Sequence, residues 1–153
     1  VNFGSQSKVV EVASKLSYSA NNDIDVVTNV YNYIITNISY DYDKAKSVKS
    51  GYIPDVDHIL YSQKGICFDY AALMTAMLRS QQIPTRLEIG YAGEAYHAWI
   101  SVYLSEKGWV NGIIEFDGEN WELMDPTFAA SESESDLRKF IGDGSKYITK
   151  YIY

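Results

Sequence analysis

One cysteine, Cys67, stands in 153 residues, which excludes an internal disulfide and any zinc site built from several thiolates. Histidine is nearly as scarce, with only His58 and His97. Long apolar runs are missing too. The longest pieces are short ones such as Ile34-Ile35 and Gly112-Ile113-Ile114, far below the roughly 18 residues that a membrane-spanning helix needs. Positive charge is in deficit, with 13 Lys and Arg against 20 Asp and Glu and a net charge of −7. That balance works against a phosphate backbone or an anionic lipid surface as partner, since both are held by clustered Lys and Arg. A soluble chain with no nucleic-acid partner, no membrane span, no metal and no cofactor is expected. The chain opens on Val1 rather than Met, so the lack of a leader peptide carries no information about compartment.

A hydrophobic fraction of 46% beside a charged fraction of 22% matches ordinary globular composition. At roughly 100 to 200 residues per domain, residues 1–153 are expected to form a single domain around one core. Tyrosine is the outlier, at 14 residues; such amphipathic rings serve either as core and rim residues or around a cleft.

Apolar residues recur at helical spacing over Ser7–Leu16 (Val9, Val10, Ala13, Leu16) and again over Asp23–Asn37 (Val26, Val27, Val30, Ile34, Ile35), which predicts two amphipathic helices, with Asp23 as the expected cap of the second. Ile38 to Asp43 reads as extended or irregular. Lys44 to Pro54, with Gly51 and few apolar residues, reads as a surface loop leading into a short segment near Asp57 to Tyr61. From Cys67 to Ser80, Ala, Leu and Met run almost throughout, predicting a largely buried central helix. Gln82-Ile83-Pro84 ends it. Alternating segments follow at Thr85–Tyr91, His97–Leu104, about Gly108–Phe116 and Asn120–Asp125, with a last one over Ser145–Tyr153 and a hairpin signal at Asp117-Gly118. Helices first and strands later make an α+β chain rather than a βαβ alternation.

Chemistry concentrates at Gly65-Ile66-Cys67-Phe68-Asp69-Tyr70, where a cysteine stands at the start of an apolar helix. Amide N–H groups and the helix dipole at that end stabilise a thiolate, the nucleophile of acyl transfer. A cysteine at such a place also serves simply as a buried packing residue. A thiolate nucleophile needs a base, and His97 lies at the start of an alternating segment with Tyr96 and Trp99 beside it. An orienting carboxylate for the imidazole is offered by Asp125, held extended by Pro126. One hairpin separates the His97 strand from the Asp125 strand, so neighbouring strands can bring both side chains to the Cys67 helix.

Gly65-Ile66-Cys67-Phe68-Asp69-Tyr70-Ala71, His97-Ala98-Trp99 and Asp125-Pro126-Thr127 resemble, in order, the G-x-C-x-[DE]-Y-A, H-A-W and D-P-T motifs of the transglutaminase-like superfamily. Leu78 to Arg86 and Gly90-Tyr91 look like the same family's helix-to-strand connection, and the motif-bearing core runs over about residues 57–130. The resemblance implies a papain-like α+β fold and a Cys67, His97, Asp125 triad. It further implies a cysteine enzyme acting on a protein or peptide substrate through a thioester, as acyltransferase, peptidase or amidase. Acyl transfer is slightly favoured, because Tyr96 and Trp99 can wall water away from the thioester. A binding module that keeps the fold without catalysis is the rival reading.

For the oxyanion, the Cys67 amide is one donor, and Gln63 and Tyr61 are candidates for the second. Asp69 serves the first-turn dipole or, alternatively, orients His97 in place of Asp125. His58 reads as a loop residue, and Asn37-Ile38-Ser39 as a glycosylation pattern too short to carry weight. The acidic run Ser131 to Asp136 lacks the ligand and glycine spacing of a calcium loop. The acidic balance, the lone cysteine and the Tyr, Asn and Ser richness lead us to expect an extracellular or cell-surface protein of bacterial type, with the cytoplasm as the alternative.

Overall fold

The computed structural model describes residue 4 and residues 7–49, 51–92, 95–105, 108–116, 121–123 and 147–152. The first apolar repeat forms α1, Lys8–Ser17, with Val9 and Ala13 buried. The Val9 amide donates to Asp57 Oδ1 at 3.1 Å and so ties α1 to a later helix. Helix α2, Asp23–Asn37, buries Val27, Val30 and Ile34. Its cap is Asn22 rather than the expected Asp23: Asn22 is extended, and its Oδ1 accepts the Asp25 amide at 2.9 Å. The two neighbouring residues both have capping side chains, and the one whose backbone lies outside the helix takes the role.

Strand β1, Ser39–Tyr40, follows and pairs in parallel with β2, Lys64–Gly65. The next segment corrects the sequence reading. Part of the expected loop is a helix, α3, Tyr42–Ser47, which starts where the Asp41 side chain accepts the Lys44 amide at 3.0 Å. None of its residues is fully buried, so no apolar periodicity announces it. Helix α4, Val56–Ser62, ends at Gln63 in the left-handed conformation.

Helix α5, Cys67–Ser80, is the centre of the fold, and every residue from Asp69 to Leu78 is buried. It packs against α1, α2 and α4 as well as against the sheet. At its end Gln82 adopts a φ of 64°, the Ile83 amide reaches the Leu78 carbonyl at 3.0 Å, and the Arg79 guanidinium donates to the Thr85 carbonyl. That closure turns the chain into the sheet.

Among the described residues five strands make the main sheet: β3 Thr85–Ala92, β4 Ala95–Leu104, β5 Gly108–Phe116, β6 Trp121–Leu123 and β7 Tyr147–Ile152, in the order β6-β5-β4-β3-β7 with antiparallel neighbours. Leu87 and Ile89 on β3 alternate with Ala98, Ile100, Val102 and Leu104 on β4 to fill the same core as α5. Strand β6 is described over Trp121–Leu123, inside the expected Asn120–Asp125 segment whose other residues lie outside the described ones, and it is not a neighbour of β4, because β5 lies between them. The Asp117-Gly118 turn, the Ser131 to Asp136 run and Asp125 lie outside the described residues. No helix among the described residues is long and apolar enough to cross a membrane.

Candidate active site

Cys67 is the first residue of α5 and is buried, 8% exposed. In the first turn of an α-helix the amide N–H groups have no intrahelical acceptor, and the dipole places partial positive charge there. The residue before it, Ile66, has no side-chain acceptor with which to cap the helix. Asp69 fills that gap by reaching back to accept the Ile66 amide at 2.9 Å. Its carboxylate is fully buried. Two more donors complete it: Lys44 Nζ at 2.7 Å on Oδ2 and the Tyr52 hydroxyl at 2.5 Å on Oδ1. Lys44 also hydrogen-bonds Tyr52 and lies over its ring, 4.4 Å from the centroid. Burial first, and then the bond to Asp69, push the Tyr52 phenol above its ordinary pKa.

These contacts account for two motif residues that are not nucleophiles. A Cβ built on Gly65 would lie 2.6 Å from Asp69 Cβ, so glycine is needed where Asp69 folds back over the chain. The Tyr70 hydroxyl donates to the Ile38 carbonyl at 3.0 Å, and its ring stacks on Tyr40. Tyr70 thereby fixes the start of α5 to the end of α2. The β1–β2 pairing does the same, with the Ser39 amide on the Gln63 carbonyl at 2.8 Å and the Asp41 amide on the Gly65 carbonyl at 2.9 Å.

The other predicted residues fall as follows. His97 is on β4, opposite Gly90 of β3, and Tyr96 is opposite Tyr91. Trp99, two residues on, is buried between Glu88 of β3 and Glu115 of β5 in the register. Helix α5 packs on both β3 and β4, so the strand that carries His97 and the helix that begins with Cys67 belong to one layer contact. Tyr61 is 88% exposed on α4; Gln63 is exposed, and its carbonyl is taken by Ser39. Asp69 is the first-turn residue: both its oxygens are engaged by Ile66, Lys44 and Tyr52. His58 is exposed on α4, where its amide is bound by the Asp55 cap. Asn37 closes α2, and its side-chain amide donates to the Tyr33 carbonyl at 2.7 Å. Among the described residues no cluster of His, Cys, Asp and Glu could hold a metal ion.

Lys44 and Tyr52 were not singled out from the sequence. A signal existed on the other side of the contact. An aspartate within the apolar run Cys67 to Leu78 must be buried, and a buried carboxylate calls for a cation and further donors. Which cation answers is a matter of tertiary structure.

Comparison with known proteins bears on the family and the fold. The family profile of the Transglutaminase-like superfamily matches residues 10–112. The chain is 29% identical over 145 residues to a protein of Methanocaldococcus jannaschii, 29% identical over 123 residues to Bacillus subtilis YebA, and 26% identical over 147 residues to mouse kyphoscoliosis peptidase. These alignments take in 86%, 67% and 88% of this chain but only 40%, 17% and 20% of those proteins. Among solved structures, a candidate cysteine protease from Cytophaga hutchinsonii superposes with a TM-score of 0.61 at 20% identity, over 95% of this chain and 42% of that one. A TGase superposes with a TM-score of 0.52 at 19% identity, over 82% of this chain and 34% of that one. At such identities the superpositions speak for the fold, which is the papain-like α+β arrangement expected from the motifs. With two-thirds of its length under the family profile, the chain belongs to the transglutaminase-like superfamily.

Proposed function

We propose that this chain is a cysteine enzyme that forms a thioester with a protein carboxamide or peptide carbonyl, and that the whole of residues 1–153 acts as one domain in doing so. The carrying observation is the position of Cys67: the sole thiol of the chain is the first residue of the buried central helix, at the end where the dipole favours a thiolate. In the proposed reaction Cys67 Sγ attacks the carbonyl carbon, and the Cys67 amide donates to the developing oxyanion. His97 gives its proton to the leaving amine, and Asp125 holds the imidazole in the productive tautomer. Water or a second amine then takes the acyl group.

Two fates of the thioester have separate support. The relatives described as peptidase or protease favour water as acceptor. The buried ring of Trp99, close to His97 along β4, favours an amine, because an apolar wall keeps water from the thioester. A glutamine-containing peptide incubated with a labelled primary amine separates them. Label incorporation that keeps pace with ammonia release identifies the transferase, ammonia without label a deamidase, and a cut backbone a peptidase. Cys67→Ala is expected to abolish each of these activities while the fold survives, since it removes one small group at a helix end. Turnover in that variant equal to the parent would contradict the enzyme reading.

A further inference from the structure

Asp69 places a full negative charge in the same helical turn as Cys67. Left alone, that charge would oppose a thiolate there, since a like charge nearby raises the pKa of an acid. It is not left alone. Lys44, delivered by α3, and Tyr52, from the segment after it, both close on the buried carboxylate. The Lys44 side chain is itself only 25% exposed, so solvent screens this pair poorly. The strap is anchored at its start: Asp41 caps α3, and the Asp41 amide is held by the Gly65 carbonyl one residue from the α5 cap. Other charges around the cluster are Asp41 and Asp55, both of which act on Tyr52. The start of α5, helix α3 and Tyr52 are thus one polar unit rather than a helix beside a loop.

We infer that Lys44 and Tyr52 are positioning residues for Cys67: by neutralising and immobilising Asp69 they let that carboxylate cap α5 without cancelling the field that stabilises the thiolate. This rests on the reading of Cys67 as the nucleophile, but its test reads the thiol directly and needs no substrate.

The experiment is the pH profile of Cys67 alkylation by iodoacetamide in the whole chain, measured in the parent, Lys44→Met, Lys44→Arg, Tyr52→Phe and the double variant Lys44→Met with Asp69→Asn. Lys44→Met leaves a buried carboxylate unopposed in the turn that carries the thiol and should move the midpoint upward by about one pH unit. Alkylation well below the midpoint then slows by about tenfold. Tyr52→Phe should shift it in the same direction by less, and Lys44→Arg should restore the parent profile. The double variant removes both charges and should return the midpoint close to the parent, which a purely structural role for Lys44 does not predict. Should Lys44→Met fail to fold, Tyr52→Phe and the charge-free double variant still decide the matter. An unmoved midpoint in Lys44→Met or, failing that, in Tyr52→Phe would overturn the inference. So would a double variant shifted upward. A parent midpoint near that of an ordinary thiol, by contrast, would remove the nucleophile reading while the shifts between variants still test Lys44.

Discussion

Asp69 and Gly65 form a pair in which each residue type is fixed by the other. The carboxylate can cap Ile66 only by folding back across position 65, and there is no room at that position for a Cβ. Gly65→Ala is therefore expected to force the cap apart and lower stability by about 1–3 kcal/mol, the range found for overpacked sites, read as a fall in urea midpoint. An unchanged midpoint would mean that the backbone yields freely there. Tyr52 and Tyr70 have a second consequence, for pH. Burial is the main reason that both phenols have raised pKa values in the folded chain. The native state then keeps protons that the unfolded chain releases above about pH 10. Their contribution is fully present below that pH and is lost as pH climbs past it. Urea midpoints should hold level from about pH 8 to 9 and fall with rising pH above about pH 10, and less steeply in Tyr52→Phe.

The helices differ in how they are announced. For α2 and α5, the apolar residues recur over several turns, and the sequence ranges Asp23–Asn37 and Cys67–Ser80 are those observed. α3 is held by an Asp41 cap and by contacts of Lys44 with distant residues, none of which leaves a periodic trace. The strands β3, β4 and β5 were legible from alternation, whereas the partner of β7 was not, because pairing with β3 joins residues far apart in the chain. The end of α5 also gives a test. Gln82 holds a left-handed backbone, φ 64°, at the position where glycine is favoured. Gln82→Gly should stabilise the fold by about 0.5 kcal/mol, the left-handed penalty less the chain entropy of glycine. A loss of stability on urea denaturation would show that the Gln82 side chain contributes more than its backbone strain costs.

For the whole molecule, the sequence motifs name catalytic candidates but not the residues packed around them. Cys67, His97 and Trp99 stand out in the sequence as candidates because nucleophile, base and aromatic wall are residue types that chemistry itself selects. Their places on α5 and β4 follow from patterns of period 3.6 and 2. Lys44 and Tyr52 do not stand out, since nothing local distinguishes a lysine that pairs with a buried aspartate from one in solvent. The same holds for the sheet order, which sets β5 between β4 and β6. What the fold adds is a central helix held at its N-terminus by three separate ties, through Asp69, Tyr70 and the β1–β2 pair, all converging on the turn that carries the thiol. We propose that this turn holds an activated nucleophile. Because Cys67 is the only cysteine, the pH dependence of iodoacetamide alkylation of the intact chain reports on it alone. An activated Cys67 alkylates fast, with a midpoint well below the ordinary thiol value of about 8.5; slow alkylation with a midpoint at or above that value would mean that the thiol is an ordinary packing residue.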